Sequence, residues 1–360
     1  MDVILALIII PIAFTVWAVN KFPHKYSWKE GILSVIITFV IVSGVYFAGK
    51  YSNTQDFEIL NGEVISKKRE HGSYVRPYSC NCYTSCSGSG TTQSCSTICQ
   101  TCYEDRYTVD WYANTTLGKI TFKSLDRSSK SVYKEPDPTV FINCLPGEPA
   151  AKESWYMNYV KATPDSLFNT KMLDNYPVPP YPEVYSFYKY NRVINVNSKI
   201  KQEDINLLNS KLSNKLKVLG ALKQVNVIVI LTEIDDTSYR HAVENTWIGG
   251  KKNDVVVFLG MDDYNYTWVD VMTWALNSGN ELFRVKLKDE IFSQKQFDTD
   301  KISSSIEQQI KAHYDRPRME DFEYLKDEIH PPTWIIVFAL ILSLGSTVGL
   351  AVFFYNNEVI

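Results

Sequence analysis

Val-Asn-Val-Ile-Val-Ile-Leu at residues 225–231 and Asp-Val-Val-Val-Phe-Leu-Gly at residues 254–260 are two apolar, β-branched runs of strand length. A stretch of helical length that ends near Trp247 lies between them. Two such runs on either side of a helix are typical of a βαβ unit, whose parallel strands are buried on both faces. This part of the chain is therefore predicted to form an α/β domain.

Each run is followed by a pair of aspartates, Asp235 and Asp236 after the first and Asp262 and Asp263 after the second. If the two strands are parallel neighbours, both pairs lie at the carboxyl edge of the sheet, where open α/β sheets bind ligands. Clustered carboxylates repel one another unless a cation lies among them, and oxygen ligands suit Ca²⁺ or Mg²⁺. Two interpretations stay open: a divalent-metal site, or solvated turn residues.

Helical and strand patterns surround this unit. The apolar spacing predicts a helix before the first strand, a crossover helix with Thr237 as its N-cap, an edge strand after the second strand, and two further helices. Their predicted ranges are 202–222, 237–247, 267–275, 280–293 and 301–313.

Residues 194–314 resemble the TPM domain family, which includes thylakoid-lumen, photosystem-assembly and bacterial membrane-anchored proteins. The likeness rests on the helix-strand order, on Asn-Val-Ile-Val-Ile at 226–230, on Ala242-x4-Trp-Ile-Gly249 and on Lys-Lys-Asn-Asp-Val-Val-Val-Phe-Leu at 251–259. It implies a noncytoplasmic domain, divalent-metal binding and a weak phosphatase activity. The glycine-rich hairpin phrase of the family is replaced here by Trp-Val-Asp-Val-Met-Thr-Trp at 268–274.

Three uncharged apolar runs predict membrane helices: 3–19, 32–49 and 333–355. Lys21, Lys25 and Lys29 lie between the first two runs. Lysines in short loops stay cytoplasmic, so residues 51–330 are expected outside the cytoplasm. Gly345 and Gly349 form a GxxxG pattern that lets helices approach closely, which predicts a homo-oligomer contact through the third helix; glycine is also generally common in membrane helices.

Six of the seven cysteines lie between residues 80 and 102. In an extracytoplasmic domain they are expected to form disulfides that staple a loop; in the cytoplasm, two cysteine pairs would suit zinc instead. Cys144 is either free or paired with this cluster. The cysteines grouped as disulfide candidates are Cys80, Cys82, Cys86, Cys95, Cys99, Cys102 and Cys144.

The cysteine cluster belongs to a predicted all-β module. Phe57–Arg69 is expected to be a strand with a turn at Asn61-Gly62, and the segments 107–112 and 119–123 are expected to form a strand pair. A Pro-rich connector with a short helix at 153–161 follows.

The predicted fold class is a multi-span membrane protein with an α+β ectodomain, formed by a small cysteine-rich all-β module and a TPM-like α/β/α sandwich. The predicted segments are membrane helices at 1–19, 31–50 and 331–355, a cytoplasmic loop at 20–30, the cysteine-rich module at 51–150, the connector at 151–193 and the TPM-like domain at 194–330.

A net charge of −3 gives no sign of nucleic-acid binding, and no nucleophile, Walker, Rossmann or zinc-protease motif occurs. The expected function is a non-enzymatic membrane protein of the bacterial inner membrane whose outer domains bind or assemble another membrane or envelope protein. The alternatives are a metal-dependent phosphatase-like hydrolase and a zinc-ribbon protein with a cytoplasmic domain.

Overall fold

A computed structural model of the protein describes residues 2–87, 94–163, 176–274 and 278–357. The helices are α1 (Asp2–Lys21), α2 (Trp28–Thr54), α3 (Thr139–Asn143), α4 (Tyr159–Ala162), α5 (Gln202–Lys223), α6 (Tyr239–Thr246), α7 (Ser278–Ser293), α8 (Thr299–His313) and α9 (Thr333–Asn357). The strands are β1 (Gln55–Ser87), β2 (Ser94–Thr115), β3 (Gly118–Arg127), β4 (Pro149–Met157), β5 (Val184–Tyr185), β6 (Lys189–Tyr190), β7 (Val193–Val196), β8 (Asn226–Thr232), β9 (Asp254–Asp262) and β10 (Asn265–Thr273). Short 3-10 helices occupy Lys130–Lys134 and Met319–Asp327.

The chain divides into two compact units. The first comprises Met1–Glu58, Trp155–Leu173 and Pro317–Ile360, and the second comprises Ile59–Ser154 and Asp174–Arg316. The cysteine cluster and the α/β sheet both belong to the second unit.

The α/β sheet of the second unit has the strand order β10-β9-β8-β7. Strands β7, β8 and β9 are parallel, and β10 adds an antiparallel edge. All seven residues of β8 are buried, because helices cover both faces of the sheet. Helices α5, α7 and α8 share one apolar core with Val229 and Val257, while Tyr239 of α6 meets Phe258 on the opposite face. The βαβ unit expected from the two apolar runs is β8-α6-β9.

The expected start of the crossover helix is two residues too early. Helix α6 begins at Tyr239 with Ser238 at its cap, and no side chain caps it. The carboxylate of Asp236 instead accepts the Ser238 backbone N–H at 2.8 Å. This local turn keeps Thr237 outside the helix.

The second sheet of four strands has the order β3-β2-β1-β4, and β1 runs without a turn through Asn61 and Gly62. The turn expected at this Asn-Gly pair is therefore wrong. The Asn61 side chain donates to the Val225 carbonyl at 2.9 Å, and a Cβ on Gly62 would meet the Thr116 hydroxyl at 2.0 Å. Both residues allow neighbouring segments to pack closely against β1, and neither reverses the direction of the chain.

The helix expected at 153–161 is also wrong. Most of that segment is β4, which pairs with β1, and only Tyr159–Ala162 is helical. The Asn158 side chain accepts the Lys161 backbone N–H, so the helix begins only after the strand has ended.

In the first unit, α2 and α9 are long and apolar enough to cross a membrane by length and composition, and α1 carries a shorter apolar stretch. Small and hydroxyl-bearing residues contribute to the contacts among the three helices, together with apolar residues such as Leu7 and Val42. The Ser346 hydroxyl donates to Thr38 at 3.2 Å, and the Ser343 hydroxyl donates to the Leu7 carbonyl at 3.0 Å. A Cβ on Gly49 would meet Ile335 at 2.7 Å.

The GxxxG glycines of α9 lie outside these contacts. A Cβ built on Gly345 or on Gly349 meets nothing within 4 Å, and both glycines are exposed. Within the described part of the chain, they form no helix-helix contact. The homo-oligomer contact expected from them stays a prediction.

Gly220 of α5 provides a test of the packing in the second unit. An added Cβ would lie 2.0 Å from the backbone carbonyl oxygen of Asn61, which cannot rotate away. We expect Gly220→Ala to destabilise the protein, although alanine favours a helix over glycine by about 1 kcal/mol. The midpoint of thermal unfolding in detergent should fall.

Val218→Ala is the control, because Val218 lies on the same helix and its side chain is exposed. An unchanged or higher midpoint for Gly220→Ala would contradict this close contact.

Candidate functional site

The four predicted aspartates lie at one edge of the α/β sheet. Strands β8 and β9 are parallel, with Thr232 opposite Gly260, so the segments that follow them emerge together. All four side chains are exposed: Asp235, Asp236, Asp262 and Asp263. Asp236 accepts hydrogen bonds from the Tyr176 hydroxyl and the Ser238 backbone N–H, which lower its pKa, the Tyr176 bond most.

A lysine also lies at this edge. The Lys199 Nζ is 3.4 Å from the carboxylate of Glu233 and 3.7 Å from that of Asp263, and Glu233 contributes most to raising the pKa of Lys199. Sequence reasoning missed Lys199, although it follows β7 at the same edge. Among the described residues, no group of three or more His, Cys, Asp or Glu side chains is arranged to hold a metal ion. The Ca²⁺ or Mg²⁺ site stays a prediction.

The cysteine cluster lies on a long two-stranded ribbon. Strand β3 ends opposite Tyr107. Beyond that point, among the described residues, β1 and β2 pair only with each other as far as Ser87 and Ser94. Three disulfides cross the ribbon: Cys80–Cys102, Cys82–Cys99 and Cys86–Cys95. Cross-strand disulfides hold together a ribbon that has no hydrophobic core of its own.

Cys144 does not join the disulfides. Its thiol is free and buried in the core of the β3-β2-β1-β4 sheet, beside residues such as Trp111. Burial is the main cause that raises the pKa of this thiol, which makes it a poor nucleophile. Grouping Cys144 with the disulfide cysteines is therefore wrong.

The ribbon exposes large side chains on a segment with little net charge. Tyr83 and Ile98 face each other across the strands and are 61% and 45% exposed. Tyr74, Tyr78 and Tyr103 are also exposed. Tyrosine supplies a large contact area at low conformational cost and is common in protein interfaces. Which side chains of the ribbon are exposed can be predicted from the pairing of β1 with β2 only when the positions of the β-bulges are known.

A second group of polar residues lies at the opposite edge of the α/β sheet and was not expected from the sequence. Asn226 and Asp254 are the first residues of β8 and β9, and Arg192 precedes β7. All three are buried. The Arg192 Nη1 donates to Asn226 Oδ1 at 2.7 Å, and Asn226 Nδ2 donates to Asp254 Oδ1 at 2.9 Å. The asparagine amide therefore connects a buried cation with a buried carboxylate.

Asp254 is well supplied with donors. Its carboxylate also accepts the Lys251 backbone N–H at 2.7 Å and the Tyr181 hydroxyl at 3.0 Å. Burial nevertheless prevails and raises the pKa of Asp254 from 3.8 to about 6. The continuous apolar run of β9 gives no signal of this buried carboxylate, because the partners of Asp254 come from other segments of the chain.

This pKa predicts a pH dependence of stability. Between about pH 4 and pH 6 the folded protein retains a proton on Asp254 that the unfolded chain has released. The contribution of Asp254 to the free energy of unfolding should therefore fall as the pH rises through this window. The Asp254→Asn variant lacks this contribution. Its unfolding midpoint should therefore depend less on pH between about pH 4 and pH 6 than that of the wild-type protein, even if the midpoint itself is lower or higher.

Asp262→Asn, at the exposed other end of β9, is the matched control and should keep the wild-type dependence. Parallel wild-type and Asp254→Asn curves from pH 4 to pH 6 would contradict the raised pKa.

Comparison with known proteins adds no relative: the chain matches no family model, no curated protein and no solved structure. The TPM resemblance of residues 194–314 stays a prediction.

Proposed function

We propose that the chain is a membrane protein anchored by α1, α2 and α9, whose second unit lies outside the cytoplasm and binds another protein through the disulfide-bonded ribbon. The observation that carries the proposal is the distribution of side chains on the three helices. Many of their large apolar residues are exposed, whereas many of their buried positions are small or carry hydroxyl groups.

This distribution differs from that in a soluble helical bundle. In α2, Ser34 and Thr38 are buried, while Ile36 and Val40 are 52% and 63% exposed. In α9, the buried positions Ala339, Ser343 and Thr347 repeat every four residues. A core helix of a soluble protein buries its apolar face, but lipid solvates apolar side chains and favours small residues between helices.

The lysines and the disulfides support the same orientation. Lys21, Lys25 and Lys29 lie around the short α1–α2 connection and favour a cytoplasmic position for it. Disulfides persist in oxidising compartments outside the cytoplasm. A chain that crosses the membrane at α2 would place the ribbon on the side opposite these lysines.

The ribbon supports a protein as the partner. Its exposed tyrosines and Ile98 provide apolar contact area. In the described ranges no third strand pairs with the ribbon beyond β3, so its backbone edges suit pairing with a strand of another protein. The charged residues from 74 to 106 are two arginines and two acids, Arg76, Arg106, Glu104 and Asp105, so steering by net charge contributes little.

Two other functions remain proposals. A zinc site needs cysteine thiolates, which the six paired cysteines provide only after reduction. A metal-dependent phosphatase needs a cation at the acidic edge, and Lys199 lies there between Glu233 and Asp263.

Cysteine labelling in intact cells tests the orientation. With a membrane-impermeant maleimide, we expect labelling of the ribbon cysteines only after treatment with an impermeant reductant, because the disulfides must open first. A cysteine introduced as His24→Cys, in the α1–α2 connection, should be labelled only after permeabilisation. Labelling of His24→Cys from outside, or ribbon labelling without reductant, would contradict the proposal.

Photo-crosslinking tests the ribbon. A photoreactive amino acid at Tyr83 should give a discrete, protease-sensitive adduct in intact cells. The same residue at Thr84, which is paired with Thr97 and points to the other face, should give little adduct. Equal adducts at both positions, or none at Tyr83, would argue against the face of the ribbon that carries Tyr83 as the interaction surface. An adduct of twice the chain mass would identify the partner as a second copy.

A further inference from the structure

A cavity of about 240 Å³, with both polar and apolar lining, lies beside the buried Arg192 in the second unit. Its wall includes the α5 residues Ser210, Ser213 and Asn214, and Lys189 of β6. Sites for drug-sized ligands measure about 300–1,000 Å³, so this cavity suits a smaller molecule. Neither the acidic edge nor the ribbon contributes to it.

Arg192 reaches this cavity as an incompletely paired cation. Only 2% of the residue is exposed, and its three donated bonds end on neutral oxygens: Ser213 Oγ at 3.1 Å, Asn226 Oδ1 at 2.7 Å and Asn61 Oδ1. A guanidinium has five N–H groups, so two remain, one on each Nη. In the described ranges, neither of these two has a protein acceptor.

The neighbouring hydroxyls are also free to donate. Ser213 Oγ accepts from Arg192, and its own O–H has no acceptor in the part of the chain that the structure describes. Ser210 is exposed, and its hydroxyl lies on the same wall. Together with Arg192, these serines place hydrogen-bond donors in the lining of the cavity.

The charges around the cavity favour an anion. Lys189 and Arg192 are its cations, and Glu148 is the one carboxylate in the described lining. The Tyr188 hydroxyl donates to Glu148 at 2.8 Å and stabilises that charge within the wall. Burial lowers the pKa of Arg192 to about 10, which leaves it charged at neutral pH.

We propose that this cavity binds a small oxyanion, the carboxylate or phosphate group of a small molecule. A remaining N–H group of Arg192 binds one of its oxygens, and the Ser210 and Ser213 hydroxyls complete the donor set. Arginine suits this task because hydrogen bonds from its guanidinium to carboxylate or phosphate oxygens are charge-assisted. A buried cation that lacks a carboxylate in direct contact gains charge compensation when the anion enters.

Calorimetric titration of the full chain in detergent tests the proposal. The probes are inorganic phosphate, sulfate and acetate, with chloride keeping the ionic strength constant. We expect at least one of them to bind the wild-type protein. In Ser210→Asp a carboxylate enters the cavity wall, and repulsion between like charges should weaken that binding by about tenfold or more.

Asn206→Asp is the matched control, because it adds the same charge one turn away on α5 and outside the cavity wall. It should retain the wild-type affinity. Ser210 is exposed, so Ser210→Asp is expected to fold, and its thermal midpoint without anion verifies this.

Binding of phosphate and sulfate alone would identify a tetrahedral oxyanion, and binding of acetate alone a carboxylate; either supports the proposal if Ser210→Asp weakens it. The proposal is overturned if no anion binds the wild-type protein, or if Ser210→Asp and Asn206→Asp bind equally.

Discussion

The second unit depends on one buried asparagine amide. Asn226 accepts from Arg192 with its oxygen and donates to Asp254 with its nitrogen, so one amide pairs with both a buried cation and a buried carboxylate. Removing one member of such a network leaves a buried polar group unpaired, which costs more than the bonds themselves contribute. The network also joins distant parts of the chain, because Asn61 of β1 contacts both Arg192 and Asn226.

This connection explains why the two sheets belong to one compact unit. Asn61 lies in the β3-β2-β1-β4 sheet, which carries the ribbon, whereas Asn226 begins a central strand of the α/β sheet. Gly220 of α5 lies against the same Asn61, where only a hydrogen fits. A linker would have let the sheets move independently; buried polar bonds at defined distances fix one arrangement of these strands instead.

Local sequence patterns predicted the elements whose environment is uniform. Strands β8 and β9 are buried on both faces, so their continuous apolar runs identify them, and the aspartates after them lie at a shared edge as expected. Local sequence patterns gave wrong predictions where contacts with a distant segment of the chain determine the local structure. The Asn61-Gly62 pair has the chemistry of a turn, but Val225 and Thr116 hold it in a strand. Arg192 and Lys199 were missed because their partners lie far along the chain.

The burial of Cys144 has a consequence for how the ribbon acquires its disulfides. Six cysteines allow fifteen complete pairings, and a seventh thiol adds a competitor that attacks disulfides already formed. Once the β3-β2-β1-β4 sheet has folded, the Cys144 thiol is buried and its thiolate form is disfavoured. Oxidation after folding therefore acts on the six cysteines of the ribbon, and Cys144 no longer competes with them. A chain oxidised while still unfolded has no such protection against incorrect cross-links.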